Sequence, residues 1–303
     1  MSADTPVQLA FITDAGAIGP TTFAMWTALC RASGPVDVIY VGIDLSEAHW
    51  AGVGSVVAGF AQARLVVVKF DDDLLQGVAA PSAHISRATF VRLFLHRFTR
   101  GRVLYLDGDI MVTGDVSAIA AVDMADAPIA AVCDFVVQKW AHMLARKERS
   151  AKIARKMQRI APLTVPAGPQ YYFNAGVALM DMDRINADPT LVAALEDVQT
   201  AAQYPLADQD HLNRVFAGQA HVLAPQWNCS WGRLRLQRRY LADCVMMADG
   251  NPATEGPIVI HYHGPKKPWR RVPLVHKLRF ARAIWAYRTA QRAFLREFPD
   301  FSY

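Results

Sequence analysis

The feature that most constrains this chain is an alternation. Through its first half, short apolar runs give way to longer stretches with helical spacing and then return. Repeated in this way, the two patterns form β-α-β units around a mainly parallel sheet covered by helices. Strands are expected at 7–13, 36–41, 65–70, 102–106, 129–133 and 177–180, and helices at 21–31, 46–63, 82–98 and 189–199. The basic stretch 139–161 is helical by composition and stops at Pro162; residues 163–172, with Pro166, Gly168 and Pro169, read as a loop. At 303 residues and 52% apolar content the chain can bury a large core, and no linker or repeat divides it. The expected architecture is one α/β domain over 1–270 with a basic helical extension over 271–303.

No stretch approaches the ~20 uninterrupted apolar residues that a membrane span needs. Residues 1–6 lack the basic and apolar segments of a secretory signal, so a cytoplasmic location is expected. The four cysteines, Cys30, Cys133, Cys229 and Cys244, stand singly, which suits reduced thiols and argues against a cysteine metal centre. Charge is unevenly spread: residues 139–159 carry +7 and 266–300 carry +8, which against a total of +5 leaves −10 for the rest. An acidic body with two basic appendages fits an acidic partner. Residues 277–298 interleave arginine with Phe280, Ile284, Trp285, Tyr287, Phe294 and Leu295, as an interfacial helix does. The extension therefore reads as an anchor on an anionic membrane surface, peripheral and dispensable for folding; a basic helix packed on its own core is the other reading. No nucleic-acid-binding motif accompanies the charge.

Ligands of a parallel α/β sheet bind at the carboxyl ends of its strands, so acidic residues just past a strand are where a site is sought. Four Asp-x-Asp patterns occur, at 71/73, 107/109, 181/183 and 208/210. The first reads as a solvated turn, and Asp183 reads as a helix N-cap. Asp107-Gly108-Asp109 differs because it ends the strand RVLYL and separates two carboxylates by a glycine. Gly108 permits a tight turn and a close ligand, and the paired carboxylates form a hard-oxygen site for Mg²⁺ or Mn²⁺ on a diphosphate.

Around that motif the chain resembles glycosyltransferase family 8, which contains bacterial lipopolysaccharide galactosyl- and glucosyltransferases and glycogenin. The resemblance rests on seven segments in the family's order: FITDAGA at 11–17, HISRATFVRLFL at 84–95, RVLYLDGDIMV at 102–112, AVCDF at 131–135, YYFNAGVALMDM at 171–182, DQDHLN at 208–213 and HYHGPKKPW at 261–269. It implies a GT-A type domain in which Asp107, Asp109 and His261 hold a divalent ion, Mn²⁺ with Mg²⁺ as the alternative, on the diphosphate of a UDP-sugar. Gly264 and Lys267 then face the phosphates, and Thr13 and Asp14 the nucleoside. The sugar pocket implied is Arg92, Asn174, Asp208 and Gln209, with Asp134 toward the acceptor hydroxyl. Taken singly these residues have plainer readings: Asp14, Asp208 and Gln209 as helix caps, Arg92 as a surface arginine, Asn174 as a turn residue. Ala15 and Gly16 depart from the family pattern.

The resemblance further implies transfer of a hexose, glucose or galactose, with retention of anomeric configuration, to a glycan or lipid-linked glycan acceptor. No carboxylate in the matched segments is an obvious nucleophile, which favours attack on the face the diphosphate leaves. A sugar nucleotidyltransferase would need a basic, glycine-rich loop after the first strand, and FITDAGAIG lacks the arginine and lysine. A non-catalytic nucleotide-sugar-binding protein is the remaining rival.

Overall fold

The computed structural model describes residues 5–80, 86–146, 150–231 and 256–301. Residues 82–85 of the expected third helix, 147–149 of the basic stretch and Cys244 lie outside the described residues. Ten strands are described: β1 (Val7–Asp14), β2 (Val36–Ile43), β3 (Ala63–Lys69), β4 (Arg102–Leu106), β5 (Ile110–Val112), β6 (Ile129–Cys133), β7 (Phe173–Asp181), β8 (Ala220–Val222), β9 (Cys229–Ser230) and β10 (Val259–His261). Seven form the central sheet in the order β3-β2-β1-β4-β7-β6-β8, and β5-β10-β9 form a second, smaller one. The central sheet is parallel except at β7, which runs antiparallel to both β4 and β6. This is the expected α/β architecture with a mainly parallel sheet. The order reverses between β1 and β4, so the crevice at the switch point opens beside the carboxyl ends of those two strands.

Alternate residues of β1 supply two different cores, as a strand covered on both faces requires. Leu9 and Phe11 join α1 (Ile18–Leu29) and α2 (Glu47–Ala58) on one face. Ala10 and Ile12 meet residues 87–94, α3 (Leu95–Phe98) and the run of helices α6 (Met182–Ala187), α7 (Pro189–Leu195), α8 (Val198–Gln203) and α9 (Ala207–Val215) on the other.

Several expected elements differ in form. In place of one α-helix over 82–98 there is a 3₁₀ helix, Arg87–Phe94, leading into α3. The run Thr89-Phe90-Val91 is β-branched and aromatic, and such residues are weak α-formers. The basic stretch is split into α4 (Phe135–Ala145) and α5 (Ala151–Ile160), each opened by a side-chain cap, Asp134 and Ser150. The helix expected over 189–199 breaks where Asp197 accepts the Thr200 N–H and starts α8. Asp181, not Asp183, is the N-cap of α6. β7 begins four residues before the expected strand, because Asn174, Ala175 and Gly176 belong to it rather than to a turn.

In the C-terminal segment most of the rings expected at a membrane surface turn inward, as in the packed-helix reading. The segment forms α10 (Leu274–Arg279) and α11 (Ala281–Glu297), and Phe280, Ile284, Tyr287 and Phe294 are buried. Their spacing puts them on one helix face. Phe23 of α1 lies 4.7 Å from the Tyr287 ring and 5.9 Å from Phe294, and Trp231 stacks on Phe280 at 4.4 Å. These rings, expected at a membrane interface, are core. The other face leaves Leu274, Leu278 and Trp285 exposed by 73%, 77% and 71%. Among the described residues no helix is long and apolar enough to cross a membrane.

Candidate active site

The site is built where β4 ends. The Asp107 N–H donates to the Gly176 carbonyl at 2.9 Å, which continues the β4–β7 ladder up to the first carboxylate. At Gly108 the chain turns against α1 so closely that a Cβ would overlap the Thr21 hydroxyl, which itself donates to Thr13 Oγ1 at 3.2 Å. Only glycine fits there. The chain then enters β5, whose antiparallel pairing with β10 sets His261 opposite Ile110. The Tyr262 N–H donates to the Asp109 carbonyl at 2.8 Å and closes that junction. A carboxylate oxygen of Asp107, one of Asp109 and an imidazole nitrogen of His261 thereby lie within 4.8 Å of one another.

Each carboxylate divides its two oxygens between a cation and this cluster. Asp107 Oδ1 accepts from Arg92 Nη2 at 2.8 Å and from the Tyr105 hydroxyl at 2.6 Å, while Oδ2 lies 3.7 Å from His261 Nε2. Asp109 Oδ2 is bonded to Lys267 Nζ, while Oδ1 lies 3.0 Å from His261 Nε2. That Oδ1 is buried and forms no hydrogen bond. A buried anionic oxygen without a hydrogen bond is costly, and a cation between Asp109 Oδ1, Asp107 Oδ2 and the imidazole nitrogen would satisfy it. Two carboxylates and one imidazole form a donor set suited to Mn²⁺, so the residues present fit the divalent ion the sequence implies. Burial pushes the Asp109 carboxyl up, but Lys267 and His261 outweigh it and hold it well below the usual carboxylate range.

Arg92 is no surface residue. It is buried, donates Nη1 to the Ala175 carbonyl at 2.8 Å, and places Nε 2.9 Å from Asp208 Oδ2. Burial alone would depress its pKa; the carboxylates Asp107 and Asp208 reverse that, and the net shift is upward. Asp208 is raised, because its burial exceeds the help from Arg92 and from the Thr89 hydroxyl, which donates at 2.7 Å. Neither Asp208 nor Gln209 caps a helix: α9 begins at Ala207, and both lie in its first turn. Gln209 Oε1 accepts from the Ala175 N–H and its Nε2 donates to the Tyr172 hydroxyl, each at 3.2 Å.

Asn174 donates Nδ2 to Asp134 Oδ2 at 3.2 Å, and Asp134 Oδ1 caps α4 by accepting from Val136 and Val137. Asp107, Asp109, His261, Lys267, Arg92 and Asp208 are thus joined by direct contacts, and Asn174, Gln209 and Asp134 border them through β7. Thr13 and Asp14 stand at the neighbouring strand end, with Asp14 accepting from the Ala17 N–H at 3.1 Å and from the Ser86 hydroxyl. Gly264 has φ +89°, in the left-handed region, and nothing stands within 4 Å of where its Cβ would be.

The family model for glycosyl transferase family 8 matches residues 63–272, more than half of the chain. The chain belongs to glycosyltransferase family 8. The matched segment takes in every site residue above except Thr13 and Asp14. Lipopolysaccharide 1,2-glucosyltransferase of Escherichia coli (strain K12) is 27% identical over 220 residues, 69% of this chain and 57% of its own. Lipopolysaccharide 1,3-galactosyltransferase of Salmonella typhimurium (strain LT2) is 26% identical over 212 residues, 68% of this chain and 56% of its own. General stress protein A of Bacillus subtilis (strain 168) is 24% identical over 198 residues, 63% and 62%. The chain spans less than two thirds of the length of these curated relatives. The crystal structure of galactosyltransferase LgtC with donor and acceptor sugar analogs matches with TM-score 0.71 at 23% identity, over 92% of this chain and 96% of that one. The fold is accordingly the GT-A type.

Four residues of this family 8 site escaped the sequence reading. Tyr105 lies inside the strand pattern, and its partner Asp107 two residues on gave no sign that its hydroxyl turns to the site. Thr89 sits within a matched segment, but its bond to Asp208 spans 119 residues. Gly176 follows Asn174-Ala175 and was legible only as a turn; a Cβ there would stand 2.6 Å from Asp107 Oδ2 and overlap the His261 ring. Asn228 carries no motif at all, yet its Oδ1 lies 3.0 Å from His261 Nδ1.

Proposed function

We propose that this chain is a metal-assisted retaining hexosyltransferase that moves glucose or galactose from a UDP-sugar to a glycan or lipid-linked glycan acceptor. The observation that carries the reading is the division of oxygens at Asp107 and Asp109, one held by a cation and one turned to His261. When bound there, the ion neutralises the donor's diphosphate and eases its departure. Lys267, tied to Asp109, adds a positive charge on the same side, and Gly264 lets the backbone come close to a phosphate. Asp208, Gln209 and Asn174 orient the sugar, with Arg92 clamping Asp208 in place. Asp134 faces the acceptor.

Retention follows if the acceptor hydroxyl attacks from the face the diphosphate leaves. The anomeric C–O bond to phosphate breaks, the new C–O bond forms on that face, and the leaving phosphate oxygen takes the hydroxyl proton. Asp208 does not suit the role of nucleophile, because Arg92 and Thr89 occupy its oxygens. Gln209 has only an amide to offer. The lipopolysaccharide enzymes among its relatives favour a lipid-linked glycan as acceptor.

The exposed face of α10 and α11 supports a seat on an anionic membrane. Leu274, Leu278 and Trp285 are accompanied there by exposed Lys277 and Arg282, a pairing of apolar and basic groups that suits a headgroup layer. The test of the enzymatic reading is UDP release from UDP-glucose and UDP-galactose, assayed with Mn²⁺ and with EDTA. Full turnover in EDTA overturns the metal, and nucleotide binding without any donor hydrolysis or transfer points to a non-catalytic binding protein.

A further inference from the structure

A buried imidazole can serve a metal through Nε2 only if its proton sits on Nδ1, so something must hold it there. In this protein the hydrogen bonds around His261 decide the matter without ambiguity in amide orientation. Asp134 starts the chain: it is a helix cap whose Oδ1 accepts two backbone N–H groups, at 2.8 Å and 3.1 Å, so its Oδ2 is an acceptor too. The partner of Oδ2, Asn174, must therefore present its amino group, Nδ2, at 3.2 Å. The Gly176 N–H, donating to Asn174 Oδ1 at 3.1 Å, fixes the same orientation independently. Asn174 Oδ1 then accepts from Asn228 Nδ2 at 2.9 Å, which leaves Asn228 Oδ1 facing His261 Nδ1 at 3.0 Å. An oxygen there accepts a hydrogen bond from Nδ1–H, so that Nε2 is the nitrogen that would offer its lone pair to an ion held beside Asp107 Oδ2 and Asp109 Oδ1. Turning Asn228 over would set two oxygens against each other at Asn174 and place an N–H where the ion belongs.

We propose that Asn228 is a positioning residue for the metal, holding His261 in its Nδ1–H form at the end of the chain Asp134–Asn174–Asn228–His261. The inference rests on the reading of Asp107, Asp109 and His261 as a metal site. It also means that Asn174 and Asp134, taken above for the sugar and the acceptor, have a second task on the far side of β7. Groups that orient a ligand in this way are worth about 10–100-fold in metal affinity.

The experiment uses the full chain saturated with UDP. Mn²⁺ is titrated in and the free ion read by electron paramagnetic resonance, for the parent protein and Asn228→Ala. Asn228→Ala is expected to bind Mn²⁺ about 10–100-fold more weakly. An Asn228→Ala protein that binds as the parent does overturns the proposal. A second readout needs no variant at position 228. With ¹⁵N-labelled histidine and diamagnetic Mg²⁺, the His261 resonances, identified by their loss in His261→Gln, are expected to show the proton on Nδ1; a proton on Nε2 overturns the proposal. A parent protein that binds no divalent ion removes the metal reading and this inference together, whereas tight binding with an indifferent Asn228→Ala removes this inference alone.

Discussion

The two halves of the candidate metal site reach the same point by different routes. Asp107 and Asp109 are two residues apart at the end of a central strand, and their placement follows from the β4–β7 ladder and the tight turn at Gly108. His261 and Lys267 arrive more than a hundred residues later, the first at the end of a strand of three residues that has little sheet of its own and the second six residues beyond it. Their support comes from behind: Tyr262, next to His261, lies 4.9 Å from the ring of Tyr287 on α11, and Trp269 lies 5.3 Å from the same ring. The first half is held by backbone hydrogen bonds of the central sheet, the second by aromatic packing against α11. Damage to the first should cost chemistry while leaving the fold; damage to the second should cost fold and chemistry together.

The sharpest test is Asp109→Asn, expected to lower kcat/KM for Mn²⁺-dependent UDP release by at least about 10²-fold while the chain still unfolds in one cooperative transition, only the local ion pair with Lys267 being lost. Loss of the cooperative transition in that variant would break the contrast. Next comes Phe294→Ala, expected to cost about 3–5 kcal/mol in urea unfolding because the ring is fully buried against Phe23 and Trp26. Removal of residues 271–303 should leave an insoluble or unfolded protein, and a soluble truncated chain with full donor hydrolysis would show the C-terminal support to be dispensable after all.

How far the sequence could be read follows the same division. Strands β1 to β4 and β6 were legible because apolar runs flanked by helical patterns encode them locally, and the Asp-Gly-Asp turn stood out against three look-alikes by ending one of them. The burial of Arg92 was not legible, since an arginine among apolar residues reads as an exposed one until Asp107 and Asp208 are known to meet it. The C-terminal helix was misread because arginines alternating with aromatic residues fit an interface and a half-buried helix equally well. Only the partners, Phe23 and Trp26 some 260 residues away, distinguish the two.

Smaller effects separate the proposed sugar side from the candidate metal site. Gln209→Ala is expected to lower turnover by about 10²-fold while UDP affinity, measured by calorimetry, stays nearly unchanged. A comparable loss of UDP binding would move Gln209 to the nucleotide. The smallest effect belongs to Trp285→Ala, which should change stability by less than about 0.5 kcal/mol, since the ring is largely exposed, yet weaken co-sedimentation with anionic vesicles at low salt. Unchanged vesicle binding would remove the membrane seat and leave α11 a purely internal support.

The separation of the ligands along the chain also sets an order of events during synthesis. Asp109 leaves the ribosome 152 residues before His261, a delay of roughly 8–30 s at usual elongation rates. Throughout that interval the nascent chain displays a carboxylate pair with no imidazole beside it and no α11 behind it. On the reading proposed above, such a fragment would lack the third ligand and Lys267 together, and competence would arrive only once α11 had docked behind β10.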